Sequence, residues 1–309
     1  MSKKIVRLAL AAAVAFAVVG CNKDQSAAPT APVVAPAAAT PDAVVTTAVQ
    51  YLKAGNIDGL VQNALPPGEY AKVKADWAKD INKDPITDED RAKFTEQMGK
   101  LTAPDAEKAM WVELEPKLKE MDAQMAQQLP MMVAMGKGFI QSSIQQNKDL
   151  TEAQKTQATQ AVDAFGNWVQ SVKWTDPALA QKAIGVVCDT ARKINLKTLD
   201  DARALSYEQA MQKAGTVFNG TKQLLNVYGF SIDQTLDTVK AETLSSDANA
   251  AKVKVSYTLF NTPLSAESDL VKVDGRWYGK EMLEQLKKKE AETAAPAMAA
   301  PAPAPAPGN

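Results

Sequence analysis

Histidine is absent from all 309 residues, and cysteine occurs only at positions 21 and 188. The first absence removes the Ser-His-Asp triad, the Cys-His pair and every histidine-ligated zinc site. The second leaves too few thiolates for a metal cluster and no basis for a disulfide framework within one chain. Excess charge is also lacking. With 35 basic and 36 acidic side chains, the surface offers no electrostatic reason to expect nucleic acid as a partner. Long apolar runs are missing too: the one uninterrupted stretch, Leu8 to Val19, is shorter than the roughly 20 residues a helix needs to cross a bilayer.

That stretch follows Lys3, Lys4 and Arg7, so a positive cap precedes a short apolar segment in the manner of a secretory leader. It closes on Val18-Val19-Gly20-Cys21, which resembles the lipobox of bacterial lipoproteins. The resemblance implies that the Cys21 sulfur receives a diacylglyceryl group, that the leader is cut away before Cys21, and that the new amino terminus is acylated in turn, with palmitate as a typical chain. A thiol suits this role because its thiolate is a strong nucleophile near neutral pH. Several acyl chains then make a lasting anchor, since each buried CH₂ contributes about 0.8 kcal/mol. Position 22 is Asn rather than the Asp that marks inner-membrane retention in Gram-negative lipoproteins. The resemblance therefore implies the periplasmic face of the outer membrane. Loss of residues 1–20 removes three basic side chains and no acidic one, which leaves 32 against 36, or −4.

Low-complexity segments frame the rest. Residues 21–40 are rich in Ala, Pro, Thr and Val, a composition with too little large apolar surface to fold, and are expected to act as a tether. If extended, such a tether reaches about 60 Å. Residues 291–309 repeat Ala-Pro and read as a semi-stiff tail.

Between these ends the expected class is α+β, mostly α: a helical domain over 41–175, then an α+β unit over 176–290. Thr40-Pro41-Asp42 opens a helix whose Val45, Ala48, Val49 and Leu52 share a face, ended by Gly55-Asn56. A short helix follows over 57–65. Pro66-Pro67 then restarts the chain into a stripe of Tyr70, Val73, Trp77 and Ile81. Thr87 with Asp90 predicts a capping box. Met110, Leu114, Leu118, Met121, Met125, Met132, Met135 and Phe139 recur at steps of three, four or seven. They predict a helical face, kinked or divided at Pro116 and Pro130 and covered by a return helix through Ala158, Val162, Phe165 and Val169. This methionine face reads first as a packed seam. An adaptable binding groove and a Cu(I) thioether site are the alternatives it leaves.

After Asp176-Pro177, helices are expected over 178–194, 199–205 and 207–228. The period then falls to two at Val253, Val255, Tyr257 and Leu259, as in a half-buried strand. Asp274-Gly275 between 269–273 and 276–279 predicts a type I′ hairpin. Another strand is expected within 236–244 and a closing helix over 282–290. The run Val271-Lys272-Val273-Asp274-Gly275-Arg276-Trp277-Tyr278, placed after helices, resembles the cone-shaped folds related to nuclear transport factor 2. The resemblance implies a pocket between sheet and helices, in a fold that serves enzymes and non-enzymes alike.

Few residues invite chemistry. Cys188, beside Ile184, Val186 and Val187, reads as a small buried core residue, with a reactive thiol or an intermolecular bridge as alternatives. The stretch Gly215 to Lys222 nearly spells a phosphate loop, but Thr and Lys are transposed and no strand precedes it. Asp88, Glu89 and Asp90, and likewise Asp200 and Asp201, could act as paired acid and base, yet they sit where acidic residues favour a helix start. No catalytic residue, metal ligand or cofactor is therefore assigned. Lipidation at Cys21 is the one site expected. The expected partners are the membrane, through that lipid, and either an envelope protein or an apolar ligand held beneath the sheet. Two functions remain open: a non-catalytic interaction module of the envelope, and a binding protein for a small apolar molecule or lipid.

Overall fold

The computed structural model describes residues 40–148 and 150–294. The leader, the lipobox with Cys21, most of the expected tether and the tail from 295 onward lie outside these residues. Within them the protein is α+β and mostly α, with eleven helices and one four-stranded sheet.

Helix α1 (Pro41–Ala54) starts with Pro in its first turn and ends on Gly55 in the left-handed region, as the sequence predicts. It is followed by α2 (Ile57–Ala64), α3 (Pro67–Ile81) and α4 (Asp88–Thr102). Thr87 and Asp90 cap α4 reciprocally, the Thr87 hydroxyl accepting from Asp90 N and the Asp90 carboxylate accepting from Thr87 N. Next come α5 (Ala106–Gln146), α6 (Glu152–Ser171), α7 (Pro177–Ile194), α8 (Leu199–Arg203), α9 (Tyr207–Val227) and α10 (Ile232–Asp237). Strands β1 (Lys240–Ser246), β2 (Ala250–Leu259), β3 (Thr262–Val273) and β4 (Arg276–Gly279) form an antiparallel meander in sequence order, and α11 (Lys280–Ala294) follows.

The sheet departs from expectation in length. Where the sequence predicts a short strand at 269–273, β3 runs from Thr262, pairing Leu264 with Tyr257 and Leu270 with Ala251. The turn joining β2 to β3 is Phe260-Asn261, with φ of 48° and 62°. It escapes a glycine-based reading because neither residue is glycine. The second turn, Asp274-Gly275, takes positive φ at both positions, as a type I′ hairpin requires. Within 236–244 the expected strand is divided: α10 ends at Asp237, Thr238 and Val239 turn the chain, and β1 begins only at Lys240.

The core shows why α1 is central. Val44 and Val49 pack on Val253, Val255, Leu270 and Trp277 of the sheet. Ala48 and Leu52, on the other flank of α1, pack on Leu60 and Leu236, with Phe218 against them. Each such Val or Leu contributes about 1.5–3 kcal/mol on burial. Contacts thus run between residues 41–65 and the elements after 176. Helix α9 crosses the end of α1 at Gly215, where an added Cβ would collide with the Gly55 carbonyl. A third cluster joins α4, α5 and α7 through Ala106, Ile184 and Cys188, with Met110 and Trp111 against it.

Helices α5 and α6 form an antiparallel hairpin, but not along the expected seam. The side of α5 turned inward carries Met125, Leu129, Val133, Lys137, Gln141 and Ile144, each at least half covered. Gln141 donates to Asp163 at 3.1 Å, and Lys137 pairs with the same carboxylate at 2.6 Å. From the predicted stripe, Met110, Leu114 and Leu118 do pack inward, whereas Met121, Met132, Met135 and Phe139 are exposed. The predicted packed seam therefore fails beyond Leu118 except at Met125, which stays on the inward side. Beyond Leu118 the stripe advances by steps of three, four or seven and, Met125 apart, drifts off the buried side, which advances mostly by four. Nor is α5 divided: Pro116 and Pro130 both lie inside one continuous helix.

Candidate functional site

The space beneath the sheet is filled. Val49 and Val253 are fully buried, Trp277 nearly so, and these side chains occupy the gap between α1 and the strands. The two clefts described next lie elsewhere.

The larger, about 680 Å³, is a groove between α5 and the segment that links α6 to α7. Its α5 wall carries Trp111, Leu118, Met125 and Leu129, and its opposite wall carries Val172, Trp174 and Pro177. Glu115, Lys119, Asp122 and Lys173 form a mixed polar rim. Pro130 also lines the groove and has no N–H to offer the carbonyl of Ala126, a neighbouring lining residue. The linker wall is held in place by several bonds. The Trp174 indole donates to Val169 O at 2.8 Å, the Thr175 hydroxyl donates to the Asp122 carboxylate, and Asp176 accepts from Ala178 N and Leu179 N as the cap of α7. A wall so fixed presents Trp174 at little ordering cost when something binds.

Behind Trp174 lies an aromatic cluster that sequence reasoning missed. Trp174 meets Trp168 edge-on at 5.6 Å and Tyr228 at 5.0 Å. Trp168 stacks on Phe260 at 5.2 Å, and Phe260 meets Phe230 at 4.4 Å. Trp168 donates to Tyr228 O at 3.0 Å. Ring contacts of this kind are worth about 0.5–1.5 kcal/mol each beyond area burial. They explain how Phe260 holds a left-handed backbone that a bulky residue ordinarily avoids. These residues come from α6, the α9–α10 connection and the β2–β3 turn, so no local spacing announces them.

The smaller cleft, about 460 Å³, is polar and lies between α9 and the start of α10, with Asn219, Gln223, Asn226, Ser231 and Asp233 among its lining. Lys222 is 8% exposed, and its ammonium donates to Lys53 O and to Asp233, both at 2.8 Å. The stretch from Gly215 to Lys222 lies wholly inside α9. It has no loop of free amides to cradle a phosphate, as its transposed residues predict.

The acidic candidates are occupied in structural roles. Asp90 and Asp201 cap their helices, and bonds from Thr87 and from Thr198 hold their carboxyls below the ordinary range. Arg91 brings the two acidic groups together, bonding Asp88 at 3.1 Å and Asp200 at 3.0 Å. Cys188 is fully buried beside Met110, and burial pushes its thiol up. That is the opposite of an activated nucleophile. A further polar group, Tyr70 donating to Asp58 at 2.8 Å with Gln62 alongside, sits against buried Tyr207. Burial and then the nearby Asp58 charge push the Tyr207 phenol up.

Among the described residues no group of three or more acidic or cysteine side chains is placed to hold a metal ion, and no helix is long and apolar enough to cross a membrane. Cys21, the expected lipidation site, lies outside the described residues. No family model, curated protein or solved structure matches the chain.

Proposed function

We propose that the protein is a lipoprotein of the cell envelope, held by lipid on Cys21 at the periplasmic face of the outer membrane, and that its folded body is a non-catalytic interaction module. The groove between α5 and the α6–α7 linker is its binding site, and the occupant is a run of apolar side chains from an envelope protein. One observation carries this reading: Trp111, Met125, Leu129 and Trp174 line an open trough of about 680 Å³ that none of the described residues fills. Rim charges of both signs can fix register, while the methionine and the two indoles supply apolar area. Acid–base work fits the groove poorly, because Asp122 accepts from Thr175 and Glu115 pairs with Lys119 at 2.9 Å.

The test is photocrosslinking in cells with a photoreactive residue at Leu129. The expected result is an adduct with an envelope protein that Trp174→Ala diminishes at least tenfold while the protein level stays unchanged. Absence of any adduct would overturn the groove as a binding site. Turnover by the purified full chain, abolished by Asp122→Asn, would overturn the non-catalytic role. The anchor is tested separately: Cys21→Ala is expected to leave an uncut precursor without fatty acid, and a normally cut, palmitate-labelled product from that strain would refute it.

A further inference from the structure

The distal half of α5 breaks a rule kept by the charged helix surfaces elsewhere. Those outer faces carry ion pairs one turn apart, such as Lys93 with Glu89, Lys100 with Glu96, Lys119 with Glu115 and Lys193 with Asp189. From Ala123 to Asn147 the only ionisable residue is Lys137, and it is turned to α6, where it pairs with Asp163. The opposite side presents Met131, Met132, Met135 and Phe139, at 60% to 76% exposure, with Ile140 beside them. This face is distinct from the groove, which lies around Met125 and Leu129 on the inward side.

We infer that this face pairs with the same face of a second copy of the chain, forming a two-fold symmetric contact between the distal halves of two α5 helices. Three observations favour this occupant. First, groups near a two-fold axis meet their own copies, so an ionised side chain there would face its like. The face has none, whereas a dissimilar partner could be selected by complementary charge. Second, Gly136 and Gly138 lie between the exposed methionines and Phe139 in a helix interior, where glycine is unfavourable. Apart from the helix itself, no described residue approaches within 4 Å of where their Cβ atoms would be. A large side chain from a second helix fits such a hollow, so the face carries both the knobs and the notches that self-pairing needs. Third, the five large side chains leave on the order of 500 Å² uncovered per copy, so pairing them would bury on the order of 1,000 Å², at the low end of specific interfaces. That predicts a dimer sensitive to concentration. A bilayer surface is the poorer match, because membrane-lying helices carry Lys or Arg along the polar side and this stretch has only the paired Lys137.

The test uses the full mature chain, in its membrane and after purification in detergent, with one added thiol. Met135 lies at the middle of the face, so Met135→Cys should form a disulfide with its own copy in either helix orientation. Val112→Cys, at 64% exposure on the proximal half of α5, is the control. The expected result is at least tenfold more oxidant-induced dimer for Met135→Cys than for Val112→Cys, and loss of most of that dimer when Met132→Glu is added. Equal dimer from both positions would overturn the inference as random collision. So would monomer alone, whether the face proves free or buried in lipid, and so would a bridge to a different protein.

Discussion

The body built on α1 and the sheet and the hairpin of α5 and α6 use apolar residues in opposite ways. In the body, Val49, Val253, Leu236 and Tyr278 are sealed from water, and one helix is packed on both flanks. In the hairpin, α6 buries only Ala164 and Gly166 completely, and the outer side of α5 shows methionine and phenylalanine to solvent. Buried area is what stabilises a fold, so stability resides in the body, while the hairpin carries surface whose apolar character folding does not require.

The largest expected effect breaks the body. Val253→Asp places an unpaired charge in a filled core, and is expected to abolish cooperative unfolding in circular dichroism. Trp277→Ala leaves a cavity in the same cluster and should lower stability by about 3–5 kcal/mol in urea titrations. If either change left the unfolding midpoint in place, the division of roles drawn above would be wrong.

A smaller effect concerns the junction where the hairpin joins the body. Glu107 at the start of α5 accepts from Arg192 of α7, and this bond holds its carboxyl down at about 2. A carboxyl depressed in the folded state contributes stability that is whole above its ordinary value and is lost as pH falls toward the folded value. Stability should therefore decline between about pH 4.5 and pH 2, and Arg192→Met should flatten that part of the profile. Arg192 also donates to Ala103 O at 2.9 Å, so the variant should lose some stability at neutral pH as well. An unchanged acid limb in Arg192→Met would exclude this junction as a source of the decline.

Smaller again is the response of Cys188. Buried next to Met110 with its thiol pushed up, it should resist thiol-specific labelling in the native protein and react fully in denaturant. Rapid native labelling would mean that the α5–α7 junction opens far more readily than its packing implies.

Legibility followed the range of the interactions. The capping box at Thr87 and Asp90 and the turn at Asp274-Gly275 lie within four residues, and both stand as the sequence predicts. The period-two run of β2 marks a strand because one of its faces is buried. The seat of α1 on the sheet joins Val44 and Val49 to residues some two hundred positions later, a pairing no local pattern encodes. Phe260-Asn261 hides its turn because ring contacts with Trp168 and Phe230 compensate for a backbone without glycine. The seam of α5 was misplaced because its apolar residues lie on more than one side, and spacing alone does not say which side is covered. Of the candidate groove, Met125 and Leu118 on the α5 wall were visible in the sequence as part of its apolar stripe. The role of Trp174 was not: the sequence predicts a helix ending near it, whereas α6 stops at Ser171 and leaves Trp174 in the linker that forms the opposite wall.

The most direct test replaces Met131, Met132, Met135 and Phe139 together by Gln, a good helix former that removes the apolar display. The urea midpoint of the purified full chain is expected to move by no more than about 1 kcal/mol equivalent, as for surface changes generally, while self-association through this face is lost. A loss of several kcal/mol, comparable to that of Trp277→Ala, would contradict it by showing that these side chains belong to the folded core.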